Sequence, residues 1–291
     1  MTVKVFLRAI RIHQWVKNLL LLVPLFTAHR YTEPQYFVPA LIAFLSFGCC
    51  ASSVYLINDL MDVESDRQHE RKRFRPIASG EMSPLFAKVT VLVLLMLSTL
   101  LSSLISVEYM MVLAGYFIIT SAYSFYLKQL VLIDIIVLAM LYTVRVFAGG
   151  VATELQVSEW LIGFSLFFFV SLACIKRFSE LQNLKRSDRH EAAGRGYVVG
   201  DLEQISQFGL SAGCVAVLVF ALYITSSEVA LIYRWPRVLW FMCPLLLYWI
   251  SRLWLLAHRG KVHDDPIVFA IRDRTSYVVG MLALGLLMWA A

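Results

Sequence analysis

Apolar residues gather into nine runs along the chain, near positions 15–30, 37–58, 84–107, 109–127, 130–150, 159–176, 204–225, 238–256 and 275–291. Stretches 34–58, 89–107, 109–127 and 204–227 contain no Asp, Glu, Lys or Arg at all. About 20 predominantly apolar residues suffice to cross the hydrocarbon core as a helix, so each of these stretches predicts a span by itself. The first run is short and carries Pro24, which makes it the weakest of the nine. With no long linker, low-complexity tract or short repeat between the runs, the expected architecture is all-α: a polytopic membrane protein of about nine helices, forming one domain over residues 1–291.

The polar positions between the runs are unequally charged. Arg67, Arg71, Lys72, Arg73 and Arg75 follow the second run, Lys128 the fourth, and Lys176, Arg177, Lys185, Arg186, Arg189 and Arg195 the sixth. Arg259, Lys261, Arg272 and Arg274 follow the eighth, whereas the alternate connections hold only Arg30, Arg234 and Arg237. Lys and Arg retain loops on the cytoplasmic side. The expected orientation therefore places the N-terminus and the long polar loops in the cytoplasm, in the inner (plasma) membrane. The opening MTVKVFLRAIRIHQWVKN is basic and broken by charge, unlike the apolar core and small-residue cleavage site of a secretory leader.

Composition sharpens this picture. Of the 291 residues 59% are hydrophobic and 16% charged, and the mean hydropathy is +0.71. Soluble domains carry about 25% charged residues, so a soluble fold is excluded. The net charge of +6 sits in alternate loops, which argues for membrane topology and an anionic substrate rather than for nucleic acid. The five cysteines all fall in apolar stretches with no CxxC or His/Cys cluster, so they read as small buried hydrophobes and not as a zinc or disulfide framework.

The most informative segment directly follows the second run: Asn58-Asp59-Leu60-Met61-Asp62-Val63-Glu64-Ser65-Asp66. On a helix, Asp59, Asp62 and Asp66 share one face. Three carboxylates on one face repel unless a cation lies between them, and hard oxygen ligands beside a phosphate suit Mg²⁺. The basic turn Arg71-Lys72-Arg73-Phe74-Arg75-Pro76-Ile77-Ala78-Ser79-Gly80 comes next. Acidic metal ligands followed by guanidinium groups can clamp a diphosphate.

The pattern N-D-x-x-D-x-x-x-D in NDLMDVESD, followed by RPIASG, resembles the intramembrane prenyltransferase (UbiA) superfamily, and the likeness runs over essentially the whole chain. Within it the sequence is most similar to the polyprenyl-phosphate phosphoribosyltransferase branch. That similarity rests on Gln14-Trp15-Val16-Lys17-Asn18, Tyr123–Lys128, Arg145–Gly150, Lys176-Arg177-Phe178-Ser179-Glu180-Leu181, Asp264–Ala270 and Arg272-Asp273-Arg274. The resemblance implies Mg²⁺ as the metal, held by Asn58, Asp59, Asp62 and Asp66. It further implies catalytic roles for Asp59, Asp62, Lys17, Arg75 and Arg145. Lys17, Arg73, Arg75, Tyr126, Lys128, Asp134, Arg145, Lys176, Arg177 and Glu180 are the residues it would place on the substrates.

One departure is specific. Aromatic prenyltransferases of this superfamily carry a second Asp-rich motif after the sixth span, where this chain reads KRFSELQNLKRSDRHE, with Glu180, Asp188 and Glu191 but no DxxxD. Cations in that place suit a polyprenyl monophosphate or a phosphorylated sugar better than a prenyl diphosphate on two metals.

Two charges lie inside the fifth run. Asp134 and Arg145 are eleven residues apart, close to three helical turns, so both project to one side. Ionisable groups at membrane depth cost roughly 2.5–3.5 kcal/mol each and normally face an interior, which marks both as cavity-lining. Lys176 and Glu180, four apart, also fit an ordinary helix ion pair. Tyr123 and Tyr126 fit an interfacial aromatic belt as well as a site.

The implied reaction is transfer of a 5-phosphoribosyl group from phosphoribosyl diphosphate to a polyprenyl phosphate. An acceptor that is already an anion needs no strong general base, in keeping with the lack of a His–carboxylate pattern. Two rivals stand beside it. One is transfer of a prenyl group from its diphosphate to an aromatic acceptor, and the other is transport of an anionic solute.

Overall fold

The computed structural model describes residues 2–68, 72–186, 195–262 and 265–291, with the backbone alone at 228, 230 and 231. Arg71, Asp188, Arg189, Glu191 and Asp264, all named above, lie outside the described residues. The regular elements among the described residues are helices, with no strand. Six are long and apolar enough to cross a membrane: Pro34–Met61, Pro84–Ser103, Ile133–Thr153, Glu159–Arg186, Val199–Ile224 and Pro236–His258. The chain is thus an integral membrane protein, but length and composition support six such helices among the described residues where the apolar runs predict nine. The run at 15–30 breaks into a 3₁₀ stretch, Ile12–Leu22, and a five-residue helix with Pro24 in its first turn. The last run forms a helix of only 17 residues.

The helices divide into two compact units. Residues 1–125 with 144–156 make the first, and residues 126–143 with 157–291 the second. The first unit contains α1 (Val3–Ala9), the 3₁₀ stretch, α2 (Val23–Thr27), α3 (Pro34–Met61), α4 (Val63–Gln68), α5 (Pro84–Ser103) and α6 (Val107–Phe125). Helix α7 (Ile133–Thr153) gives its second half to this unit.

Pro34 at the start of α3 and Pro84 behind the Ser83 cap of α5 use positions where a missing N–H costs nothing. The buried face of α3 is built of small residues, among them Ala40, Ala43, Ser46, Gly48, Cys49, Ala51 and Ser52. Small side chains let helices approach closely in lipid, where packing and interhelical hydrogen bonds replace the hydrophobic drive. Ser98 of α5 donates to the Ser46 carbonyl at 2.9 Å, and the Tyr109 hydroxyl of α6 donates to the Ala43 carbonyl at 3.1 Å. The outer faces remain apolar: Leu92 and Met96 of α5 are 62% and 73% exposed, as lipid-facing positions require.

In the second unit the first half of α7 joins α8 (Glu159–Arg186), α9 (Leu202–Ile224), α10 (Ser227–Ile232), α11 (Met242–His258), α12 (Pro266–Arg272) and α13 (Arg274–Ala290). Glycines govern the fit of α9. A Cβ at Gly209 would come within 2.4 Å of both Trp254 and Cys174. The same indole donates to Ser171 Oγ at 3.1 Å. All five cysteines are free; Cys49, Cys50 and Cys174 are buried, Cys243 is half-buried, and Cys214 lies exposed on α9, so burial does not account for all of them.

Candidate functional site

Helix α3 ends at Met61, Asp62 takes the cap, and α4 resumes at Val63. The i to i+4 register survives the break, since Asp62 N–H donates to Asn58 O at 2.9 Å and Asp66 N–H to Asp62 O at 2.7 Å. Asp59 and Asp66 therefore still meet on one side. Both are buried, and both bind the same nitrogen: Arg75 Nη1 lies 3.1 Å from Asp59 Oδ1 and 2.7 Å from Asp66 Oδ2. Asp62 remains half-buried.

Among the described residues no three His, Cys, Asp or Glu side chains converge closely enough to hold a metal by themselves. The expected three-carboxylate cluster is not preformed, because the arginines draw Asp59 and Asp66 together and Asp62 sits at the helix break. Two carboxylates converging on one cationic centre still fit Mg²⁺, which takes one or two protein carboxylates and completes its shell with water and substrate oxygens. Asn58 Nδ2 donates to Ser124 Oγ at 2.9 Å, which commits the amide nitrogen and leaves the carbonyl oxygen as its acceptor.

Sequence reasoning missed Arg11. Its Nη2 lies 2.6 Å from Asp59 Oδ1, and its guanidinium stands over the Tyr55 ring at 4.9 Å. Only its place just before the Gln14–Asn18 motif could have signalled this. Arg73 is exposed over the Phe74 ring. Lys17 and Arg145 are both buried in this unit. Arg145 donates from Nη2 to the Tyr116 hydroxyl at 2.6 Å and from Nε to Asn18 Oδ1 at 3.3 Å, and stands 4.8 Å from the Tyr116 ring centroid. Gly149, one turn on, meets the Leu21 carbonyl so closely that a Cβ would lie 2.0 Å from the oxygen.

The second unit contains a separate charged network. Asp134 and Arg177 have no solvent exposure and pair at 2.8 Å. Arg195 Nη1 lies 3.3 Å from the same carboxylate, and its Nε 3.1 Å from Glu180. Arg177 also pairs with Glu180. The Tyr197 hydroxyl donates to Asp134 Oδ1 at 2.6 Å and accepts from Leu132 N–H at 2.7 Å. Burial, reinforced by the hydrogen bond to Asp134, pushes the Tyr197 phenol well above its ordinary pKa.

Asp134 and Arg145 thus have separate partner sets, one in each unit. Lys176, whose spacing from Glu180 fits a helix ion pair as well as a site, lies 3.3 Å from Asp265, whose carboxylate also accepts from the Tyr142 hydroxyl at 2.8 Å. Asp265 and Tyr197 are further residues that the spacing arguments did not reach. Tyr126 is exposed and Lys128 half-buried beside it.

Comparison with known proteins agrees with this fold and motif. Residues 20–277 match the UbiA prenyltransferase family. Two rhizobial proteins match nearly the whole chain. Uncharacterized protein y4nM of Sinorhizobium fredii is 38% identical over 96% of this chain, and the nodulation protein NoeC of Azorhizobium caulinodans is 36% identical over 97%. The matched region makes up 54% of the length of the first and 92% of the second. Decaprenyl-phosphate phosphoribosyltransferase of Mycolicibacterium smegmatis is 37% identical over 62% of this chain and 58% of its own length. The structure of a UbiA homolog from Archaeoglobus fulgidus, bound to GPP and Mg²⁺, aligns with a TM-score of 0.71 over 98% of this chain and 99% of that one, at 17% identity. The same fold, and a family match that runs through the acidic motif, make this chain a member of the UbiA prenyltransferase family.

Proposed function

We propose that this chain transfers a 5-phosphoribosyl group from phosphoribosyl diphosphate to the phosphate of a polyprenyl phosphate of the decaprenyl type. The observation that carries this reading is the charge constellation of the first unit. Asp59 and Asp66 converge on Arg75 Nη1, and Arg11 brings a second guanidinium to Asp59, an arrangement suited to a metal-bound diphosphate leaving group. The likeness to decaprenyl-phosphate phosphoribosyltransferase supports the sugar donor, and so does the absence of DxxxD after the sixth apolar run.

An oxygen of the lipid phosphate attacks C1 of the ribose, the C1–oxygen bond to diphosphate breaks, and diphosphate leaves with the electron pair. Both reacting groups are anions, so the work of the protein is to position them and to neutralise the charge that gathers on the leaving group. Asn58, Asp59, Asp62 and Asp66 would hold Mg²⁺, which supplies Lewis-acid stabilisation of a phosphoryl oxygen. Arg75 donates to diphosphate oxygens, and the buried Lys17 and Arg145 supply further positive charge in the same unit. The Lys and Arg bias between alternate loops supports a cytoplasmic N-terminus and a donor taken from the cytoplasm.

Purified protein supplied with radiolabelled phosphoribosyl diphosphate and decaprenyl phosphate should form a labelled lipid in Mg²⁺ and none in EDTA. Prenyl transfer from a prenyl diphosphate to an aromatic acid, with no ribose phosphate on the lipid, would overturn the sugar-donor reading.

A further inference from the structure

Arg11 is delivered to Asp59 by backbone that is itself pinned. Its φ of 51° lies in the left-handed region, and it caps the 3₁₀ stretch that follows. On one side, the Ile10 carbonyl accepts from Ser52 Oγ at 2.8 Å, and on the other Trp15 Nε1 donates to that same Oγ at 2.9 Å. The Trp15 indole lies so close to Gly48 that a Cβ there would come within 2.7 Å. The guanidinium is about a quarter exposed while its partner Asp59 is 3% exposed. A non-glycine residue held at positive φ is an uncommon conformation that the surroundings must enforce. Here it serves to present one cation to one acid.

The consequence concerns the order of binding. Arg11 and Arg75 between them already occupy Asp59 and Asp66. A divalent cation arriving alone must compete with two guanidiniums for those carboxylates, and like charges at such short range repel strongly. A diphosphate arriving with the metal removes the conflict, because its oxygens give the guanidiniums charge-assisted partners. We propose that Arg11 is a switching cation. It neutralises Asp59 in the absence of diphosphate and transfers its hydrogen bonds to diphosphate oxygens on binding, so that metal and diphosphate bind as a cooperative pair. This inference rests on the metal–diphosphate reading given above. By linkage, whatever diphosphate does to metal affinity the metal does equally to diphosphate affinity.

The test uses this purified chain and two probes, Mn²⁺ alone followed by electron paramagnetic resonance, and radiolabelled inorganic diphosphate in saturating Mg²⁺ followed by equilibrium dialysis. Arg11→Gln should bind Mn²⁺ alone about tenfold tighter than the wild type, and Mg²⁺–diphosphate about tenfold weaker, the size of effect a charge-assisted bond carries. Arg11→Lys should keep both values closer to wild type. Arg8→Gln, whose guanidinium pairs with Glu81 at 2.5 Å, should change neither. Opposite shifts cannot come from a damaged fold, which weakens both. If Arg11→Gln leaves both affinities unchanged, or lowers both together, the switch is wrong while the metal site stands. A wild type that binds neither Mn²⁺ nor Mg²⁺–diphosphate overturns the metal–diphosphate reading itself.

Discussion

The guanidinium of Arg177 lies 2.8 Å from the carboxylate of Asp134, and neither side chain has any exposure to solvent. The family resemblance would place both on the substrates, and in the structure the two form a buried ion pair. Removing Arg177 leaves the buried Asp134 with the more distant Arg195 as its cationic partner, and breaking a buried pair typically costs ~3–5 kcal/mol.

Arg177→Ala should therefore act on stability before it acts on substrate affinity, with a loss of about 3–5 kcal/mol. Replacing both partners, as in Asp134→Leu with Arg177→Met, should recover only part of that loss, because Tyr197 and Arg195 then lose Asp134 as well. Thermal unfolding in detergent checks it. An Arg177→Ala protein as stable as wild type but with a raised KM for the sugar donor would restore the substrate-contact reading.

Asp59→Asn should reduce turnover at least a hundredfold, about 2.7 kcal/mol of transition-state stabilisation, while the protein still inserts and purifies as a monodisperse species. Asn keeps the shape of the side chain and can still accept from Arg11 and Arg75, but it cannot neutralise them. Turnover within a factor of ten of wild type would remove Asp59 from the proposed metal site.

Gly149→Ala and Gly115→Ala differ only in what their Cβ would meet. At Gly149 it is the Leu21 carbonyl oxygen at 2.0 Å, which is backbone and cannot rotate away, and at Gly115 nothing lies within 4 Å. The first variant should lose about 1–3 kcal/mol or more through overpacking. The second should be neutral or gain up to about 1 kcal/mol from helix propensity. Equal stabilities in a chemical or thermal melt would contradict the close packing of α7 on the Ile12–Leu22 stretch.

Acid should weaken the second unit through Asp273. Partial burial opposes its charge, but hydrogen bonds from Arg252 at 2.7 and 2.9 Å and from Ser276 outweigh burial and hold the carboxyl below its ordinary value. A lowered native pKa contributes stability that is complete above the unfolded value of about 3.9 and is lost as the pH falls through the native value. Asp273→Asn should be less stable than wild type at neutral pH and should lose less on acidification between about pH 5 and about pH 2. Parallel pH profiles for the two proteins would rule the pair out as an acid-sensitive tie.

A cysteine placed at Ser83, the exposed cap of α5, should react with a membrane-impermeant maleimide only after cells are opened, in a background without native cysteines. Labelling from outside intact cells would overturn the proposed cytoplasmic orientation.

Residue order along the chain was enough to determine the membrane class, the helical fold and the position of the acidic motif. Long uncharged runs have few alternatives to a spanning helix, because every backbone polar group must be satisfied inside lipid. Periodicity also put Asp59 and Asp66 on one side, since i to i+3 and i to i+4 spacing survives a helix break that keeps its hydrogen-bond register.

What sequence could not decide is which charge answers which. Arg11 and Asp59 are 48 residues apart, and Tyr197 and Asp134 are 63 apart. Such pairs form only when helices bring distant positions together and burial forces every charge to find a partner. The same constraint settles Lys176, whose spacing left a helix pair with Glu180 and a site role both open, against Asp265. Close packing is equally beyond local spacing: along the first expected span Gly149 admits the Leu21 backbone, and the chain runs there as a 3₁₀ stretch. Local spacing governs which residues share a face, whereas the balance of buried charge is settled by tertiary packing.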